Sequence, residues 1–175
     1  YTPKGDLFSE KSLKKLAQLR DELKQTKRVT SVVSILDAPL LESPPVPIKE
    51  LTTSIQTLES PKVDRKLARI EFKDSPLYQN LLVSSDLKTT GLQVNFPIDE
   101  VYQDLLARRD RLREKASKGT LTNTEIVEFK ELKKQIQRRR EIQRQIRNED
   151  IAAIRAIMDK YRQDAQLFLG GISVI

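Results

Sequence analysis

The chain has 175 residues, a formal net charge of +7, and no cysteine, histidine or tryptophan. Hydrophobic residues make up 38% of it and charged residues 33%. The hydrophobic share is low for a fully globular domain and too high for a disordered chain. Without cysteine and histidine the sequence excludes a disulfide framework, a thiolate or imidazole metal site, a Ser-His-Asp triad and a cysteine nucleophile. Because no apolar run approaches the roughly 18–20 residues of a membrane span, we expect a soluble piece of a longer protein.

The first helix is predicted from a capping serine and the spacing of the leucines that follow. Ser9 can cap a helix that ends near Thr26. Its leucines share one face because they lie three or four residues apart. They are Leu13, Leu16, Leu19 and Leu23. Residues 29–36 are β-branched and mostly alternating, which predicts a strand.

A proline-rich connection begins at Asp37. Its prolines fix φ and remove backbone donors, which predicts an extended surface segment. They are Pro39, Pro44, Pro45 and Pro47. Two helices are predicted after them, a threonine-rich one over residues 48–58 and another over 63–72. Residues 81–84 and 89–96 flank a short polar turn, which predicts a β-hairpin.

From Ile98 the chain becomes helical and basic. Residues 98–163 contain 17 Lys and Arg against 12 Asp and Glu, so they carry +5 of the net charge. One helix ends at Gly119, which suits a left-handed residue after a helix, and a capping box from Thr122 to Glu125 begins the next. Two helices joined by a short turn predict an antiparallel hairpin that protrudes and packs mainly on itself.

The end of the chain is predicted to return to the core. A new helix start or a bend is expected near residues 148–150, and residues 167–174 predict a final strand. The predicted fold class is α+β: a ferredoxin-like split βαβ arrangement whose first strand is largely missing, with a long antiparallel helical hairpin inserted. The predicted domains are residues 1–97 with 148–175, and the inserted hairpin at residues 98–147.

The basic stretch at residues 130–147 has two interpretations. Clustered Lys and Arg bind the phosphates of nucleic acid or anionic lipid by releasing counterions. Alternatively the face is only solvated, since Glu131 and Glu141 are interspersed with the cations and can pair with them. Phe129 is the one aromatic residue beside the stretch and belongs to the apolar stripe, which disfavours stacking on bases. We expect a solvated face.

Other polar clusters predict structural roles. Several carboxylates could perform acid–base work or hold Mg²⁺ or Ca²⁺, but their spacing is not that of a cation cage. They are Asp64, Glu71, Asp74, Asp99 and Glu100. Residues 84–86 suit a turn, and Gly170 with Gly171 suits a bulge or a close backbone contact. The sequence therefore predicts no enzyme, no cofactor, and no catalytic, cofactor-binding or metal-binding residue.

Four segments carry a family resemblance in their order along the chain. They read YTP and GDLF in residues 1–8, VVSILD and PL in 32–40, SPLY, LLVSSD and TT in 75–90, and Ile154, Tyr161 and LGG in 154–171. The third is the most specific. Together they resemble the first periplasmic loop domain of exporters of the resistance-nodulation-division (RND) superfamily, in its MMPL-like branch.

This resemblance implies a function and a location. The chain would be a porter-type extracytoplasmic domain of an inner-membrane exporter that couples proton entry to export of hydrophobic or lipid-like compounds. It would line or gate the substrate path and move against a partner porter domain. Its partners would be the remaining membrane and periplasmic domains, the substrate, and in some assemblies a second copy. Proton-coupling residues would lie in membrane helices outside this chain.

The alternative is a basic helical-hairpin module that binds nucleic acid or a protein partner through residues 98–147. Binding to nucleic acid would weaken steeply with salt. We do not expect nucleic acid as the partner, because stacking aromatics are missing from the basic stretch.

Overall fold

The chain is a mixed α+β protein in which helices far outweigh strands. The computed structural model describes residues 1–41, 56–61, 63–79 and 81–171. Within them the helices are α1 (Glu10–Lys24), α2 (Arg65–Asp74), α3 (Glu100–Ser117) and α4 (Asn123–Tyr161). The strands there are β1 (Thr2–Pro3), β2 (Ser31–Val33), β3 (Gln93–Asn95) and β4 (Ala165–Gln166). No helix in this described part is both long and apolar enough to cross a membrane.

The chain divides into two compact units. One, here called the mixed unit, comprises Tyr1–Phe96 and Ala153–Ile175. The other, the helical unit, comprises Pro97–Ala152. One boundary falls shortly before α3 and the other within α4. Each unit has its own buried apolar cluster.

Helix α1 forms where the serine and the leucine spacing predict it. The Ser9 hydroxyl accepts a hydrogen bond from the backbone N–H of Ser12 at 3.2 Å, and the four leucines are buried in the core of the mixed unit. At the end of α4, the Tyr161 hydroxyl donates to the Glu22 carboxylate of α1 at 2.7 Å. The prediction of α1 is confirmed.

The strand predicted at residues 29–36 is shorter than expected. β2 ends at Val33, and the Ser34 hydroxyl then accepts a hydrogen bond from the backbone N–H of Leu36. The Asp37 carboxylate accepts the Ser34 backbone N–H at 2.9 Å, which completes a capping box for a 3-10 helix, Ile35–Asp37. These local bonds replace the strand ladder, as serine and aspartate side chains often do.

The predicted hairpin of residues 81–84 with 89–96 is confirmed next to its turn and was wrong for the rest of the second segment. It is reduced to a single antiparallel bridge between Val83 and Thr90. The later part of the second segment is β3, and β3 pairs antiparallel with β2 instead. Val32 and Val94 lie opposite each other in that register and both contact the mixed core. Such β-branched cross-strand pairs stabilise a ladder, so β3 pairs with the distant β2 and not with the nearby residues 81–84.

Helix α2 lies two residues later than the predicted 63–72. Its first backbone N–H groups, of Lys66 and Leu67, donate to the Asp64 carboxylate at 2.8 and 3.2 Å. Phe72, near its end, is fully buried and its ring lies 5.0 Å from that of Tyr78. The apolar face of α2 therefore anchors the segment that follows it.

Part of the proline-rich connection lies outside the described residues. This applies to Pro44, Pro45 and Pro47 and to residues 48–55 of the helix predicted at 48–58. Of its remaining residues, Gln56 bridges Leu40 and Leu58 lies in a turn.

The closing strand also differs from its prediction. β4 precedes the predicted residues 167–174, pairs antiparallel with β1, and places Thr2 opposite Gln166 and Pro3 opposite Ala165. Residues 167–171 form no strand, and residues 172–175 lie outside the described part. Gly171 has a φ of +129°, a conformation that favours glycine and ends an extended run. Helix α4 continues without a new start through residues 148–150.

In the helical unit, α3 and the first part of α4 are joined by ion pairs. Lys115, late in α3, bonds Glu125, early in α4, at 2.5 Å. Asp99, just before α3, bonds Arg139, further along α4, at 2.6 Å. Between these pairs lies a small buried cluster. Its members are Leu105, Leu112, Leu132 and Ile136.

The turn between these helices follows its sequence signals. Gly119 has a φ of +67°, the left-handed conformation that glycine adopts without steric cost. The Thr122 backbone N–H donates to the Glu125 carboxylate at 3.0 Å, and the Thr122 hydroxyl accepts the Glu125 backbone N–H at 3.3 Å. Both predicted signals, the glycine and the capping box, are confirmed.

Arg20 is a buried cation in the described part of the mixed unit, with 6% of its surface exposed. Its two terminal nitrogens donate to the Glu59 carboxylate at 2.8 and 3.0 Å, and it also bonds Asp37 at 3.3 Å and Asp21 at 3.0 Å. The Glu59 carboxylate raises the pKa of Arg20, so the guanidinium stays charged. One side chain thus ties α1 to two segments that follow it.

We expect Arg20→Met to destabilise the mixed unit by about 2 kcal/mol, because it leaves Asp37 and Glu59 facing each other without their shared cation. The free energy of unfolding of the Arg20→Lys variant should lie between those of the unsubstituted protein and the Arg20→Met variant, since lysine keeps the charge and loses the two-pronged geometry. Urea unfolding followed by the near-ultraviolet circular dichroism of the tyrosines measures both.

Arg65→Gln is the matched control, because Arg65 is exposed and its nitrogen lies 3.8 Å from Glu10. It should change the free energy of unfolding by no more than about 0.5 kcal/mol. Equal effects of the Arg20→Met and Arg65→Gln substitutions would show that the buried cluster makes no special contribution.

Candidate functional site

The start of α3 is held by a carboxylate clamp built on Asp99. This carboxylate caps the helix by accepting the Tyr102 backbone N–H at 3.1 Å. Arg139 of α4 donates to both of its oxygens, at 2.6 and 2.9 Å, and the Gln143 side-chain amide donates to it as well. Only 12% of the Asp99 side chain is exposed. The expected capping role of Asp99 is confirmed. The hydrogen bonds from Arg139 and Gln143 of α4 were not expected.

The clamp fixes the charge of Asp99. The hydrogen bond from Arg139 is the largest influence and, with those from Tyr102 and Gln143, lowers the pKa of Asp99 to about 2, against a smaller opposing effect of burial. Asp99 is therefore ionised at neutral pH and cannot act as a general acid there. Its place in the unit is structural.

Next to the clamp lies a cleft of about 540 Å³, here called the arginine cleft. Arg140, Arg144 and Arg147 of α4 line it, and their spacing of four and three residues puts them on one face. The Nε of Arg140 donates to the Tyr102 hydroxyl at 2.8 Å. Arg144 donates to Glu141 through Nη2, also at 2.8 Å. The remaining lining residues are Ile98, Asp99, Tyr102, Gln103 and Gln143.

The cleft also has an exposed aliphatic wall. Ile98 lines it with 75% of its surface exposed. Val101, three residues further on, lies outside the cleft lining and is 57% exposed. An apolar residue in the position of Ile98, directly before the cap, normally packs on the fourth residue of the helix. That residue is Gln103, which is polar, so Ile98 lacks its usual apolar cover.

The rest of the basic stretch resembles a solvated face. Lys134 pairs with Glu131 at 3.5 Å, and both side chains are about half exposed or more. The Lys133 ammonium lies 4.3 Å from the centre of the Phe129 ring, and Phe129 packs against the buried cluster of the helical unit. These contacts agree with the expectation for this stretch, except in the arginine cleft.

The other candidate carboxylates do not form a site. Asp64 caps α2, Asp74 ends it, and Glu100 lies in the first turn of α3. Glu71 is buried and accepts the backbone N–H of Leu41 at 2.7 Å. Among the residues that the structure describes, no three acidic groups come together as cation ligands would. Capping or surface roles were expected for these carboxylates, and for Glu71 that expectation was wrong, because Glu71 is buried and bonds the backbone of another segment.

Residues 84–86 form a turn, as predicted. The Ser84 hydroxyl donates to the Asp86 carboxylate at 2.6 Å, and Leu87 in the same turn has a φ of +56°. Gly170 and Gly171 follow β4 and lie in no strand.

The arginine cleft was missed by reasoning from the sequence alone. Two signals could have indicated it: the spacing of Arg140, Arg144 and Arg147, and a polar residue where Ile98 needs an apolar partner. Neither signal shows which face of α4 lies beside the start of α3, and that depends on the pairing of Asp99 with Arg139.

Comparisons with known proteins supply no relative. No protein-family model matches the chain, and neither a curated protein nor a solved structure matches it. Function must therefore be inferred from the residues and their geometry.

Because of the clamp, we expect the Asp99 carboxylate to titrate at an unusually low pH. Its pKa of about 2 lies below the ordinary value of 3.8, so the clamp stabilises the folded unit above that ordinary value and loses this contribution as the pH falls toward 2. Carboxyl carbon shifts in labelled protein should show Asp99 still ionised at about pH 3. Arg139→Gln should bring its titration back toward the ordinary range.

Arg138→Gln is the matched control, because it removes the same charge from the neighbouring exposed residue. It should leave the pKa of Asp99 low. If both substitutions raise the pKa of Asp99 equally, general positive charge and not the clamp holds it down.

Proposed function

We propose that this chain is the first extracytoplasmic, porter-type domain of a proton-driven RND exporter of the MMPL-like branch. It would line or gate the path of hydrophobic or lipid-like compounds at the outer side of the inner membrane. The proposal rests on the ordered segments that resemble this family. The observation that carries it is the pairing of β1 with β4, at opposite ends of the described chain.

The pairing of β1 with β4 suits a domain inserted between two membrane helices. Such a domain leaves the membrane and returns to it, and paired entry and exit strands bring both connections to one place. Thr2 lies opposite Gln166 and Pro3 opposite Ala165. Chain ends lie close together in many domains, so this pairing supports the proposal only alongside the matched segments.

The matched segments contact one another although they are distant in sequence. Tyr1 and Thr90 exchange backbone hydrogen bonds of 2.9 and 3.0 Å, and the hydroxyls of Thr2 and Thr89 lie 2.9 Å apart. The Tyr78 hydroxyl donates to the backbone carbonyl of Pro39. The segments that resemble the family therefore meet around shared contacts within the mixed unit.

We further propose that the mixed unit is a ferredoxin-like split βαβ fold with residues 98–147 inserted as a helical hairpin. A βαββαβ order joins its first strand to its last and its second to its third, each antiparallel. β1 with β4 and β2 with β3 are such pairs, although in the described residues they form two separate two-stranded sheets and not one four-stranded sheet. The ion pairs Lys115–Glu125 and Arg108–Glu128 join later parts of α3 to earlier parts of α4, as a hairpin does.

Exposed leucines support docking on other domains of the same transporter. Leu77 and Leu81, in the most specific matched segment, are 61% and 74% exposed. Tyr78 between them is buried, so the segment is anchored while its leucines face outward. Protein interfaces place such apolar residues in their central, desolvated part.

The genomic sequence around this segment tests the proposal directly. We expect an apolar stretch of roughly 20 residues shortly before Tyr1, several such stretches after residue 175, and a second related domain between them. A reading frame that encodes no apolar stretch of this length on either side would contradict the proposal.

Cysteine labelling tests the location, because the described chain has no cysteine of its own. In the full-length protein, Lys118→Cys should react with a membrane-impermeant maleimide in intact cells, since the Lys118 side chain is 64% exposed. Leu16→Cys, at a buried position, should react only after denaturation. Reaction of the Lys118→Cys protein only after lysis would place the domain in the cytoplasm and reject the proposal.

A further inference from the structure

We infer that the arginine cleft binds an anionic single-chain amphiphile, with its acidic head on the arginines and its aliphatic chain along Ile98. The head is an oxyanion, a phosphate or a carboxylate. This inference concerns only the helical unit and does not depend on the exporter proposal.

The charge of the cleft suits an oxyanion. Three of its lining residues are arginines on one face of α4, and its one acidic lining residue, Asp99, already accepts hydrogen bonds from two nitrogens of Arg139. A guanidinium has five N–H donors, whereas the described bonds use one in Arg140 and one in Arg144. These two arginines therefore keep donors for a ligand, and arginine recognises carboxylate and phosphate in a two-pronged manner.

The aliphatic wall distinguishes an amphiphile from a free ion. Ile98, in the cleft lining, exposes a large aliphatic surface that offers nothing to an inorganic anion, and the exposed Val101 lies three residues beyond it, outside the lining. Covering them with an alkyl chain is favourable in proportion to the apolar area removed from water. The volume of about 540 Å³ is within the range of small-molecule sites.

A nucleic acid fits the cleft less well. Bases bind by stacking on aromatic rings, and Tyr102 is the one aromatic residue in the cleft lining. Its hydroxyl is already engaged by Arg140. The aliphatic residues beside the arginines would stay exposed in such a complex.

The direct test is calorimetric titration of the chain with dodecyl phosphate below its micelle concentration. We expect saturable binding at one site, at least about tenfold tighter than binding of inorganic phosphate. Laurate should bind at the same site, because it offers the same combination of oxyanion and chain. Dodecyl maltoside, which has the chain without the charge, should bind at least about tenfold more weakly.

Two triple variants separate the cleft from general charge. Arg140→Gln, Arg144→Gln and Arg147→Gln together should weaken dodecyl phosphate binding by at least about tenfold. Arg111→Gln, Arg113→Gln and Lys130→Gln together remove the same charge from exposed residues outside the cleft lining and should keep affinity within about twofold. Circular dichroism checks that both retain their helices. Ile98→Ser should weaken dodecyl phosphate and leave inorganic phosphate unchanged.

Several results would overturn the inference. Equal loss in both triple variants would mean general electrostatic attraction, and equal binding of dodecyl maltoside would mean adsorption to apolar surface. Equal affinity for inorganic phosphate would make the cleft a plain anion site. A single-stranded oligonucleotide that binds more tightly than dodecyl phosphate and depends on the same three arginines would make it a nucleic-acid site. No detectable binding of dodecyl phosphate would reject the site altogether.

Discussion

The two-pronged ion pair between Asp99 and Arg139 determines where α3 begins beside α4, and the helical unit depends on that position. The buried apolar cluster of the unit has only four members, so hydrophobic burial alone specifies its helix pairing weakly. A charge-assisted bond with fixed geometry supplies the missing specificity. At the far end, Lys115 and Glu125 act similarly across the turn, though both are more exposed and their bond is weaker in water.

The mixed unit reaches its structure by a different balance. Its core is larger and holds the leucines of α1, the aromatic contact of Phe72 with Tyr78, and Ile154 and Met158 from the end of α4. Its sheets are short, so side-chain burial and not the strand ladder supplies most of its stability. Buried polar groups also contribute: Arg20 is a buried cation in this unit, and three carboxylates accept its hydrogen bonds.

Features with local causes could be predicted from the sequence, and those with distant causes could not. Ser9 and the leucine spacing identified α1, and Thr122 with Glu125 identified the start of α4, because each signal acts within one or two helical turns. The strand that pairs with β3 was mispredicted. A nearby turn favours pairing with residues 81–84, whereas β3 pairs with β2, about sixty residues away in the chain, where Val32 lies opposite Val94. The partnership of Asp99 with Arg139 joins residues 40 apart, so no local pattern indicates it.

The arginine cleft concentrates features that lower the stability of the helical unit. Arg140 and Arg144 are like charges four residues apart, which repel on a helix surface, and the pairing of Arg144 with Glu141 offsets only part of that repulsion. Ile98 and Val101 leave aliphatic surface exposed to water, and burying that surface would have stabilised the fold. Local conflicts of this kind gather at sites that meet a ligand, because the ligand offsets them. An anionic amphiphile would relieve both conflicts, its head screening the arginines and its chain covering Ile98, so its binding would stabilise the folded helical unit.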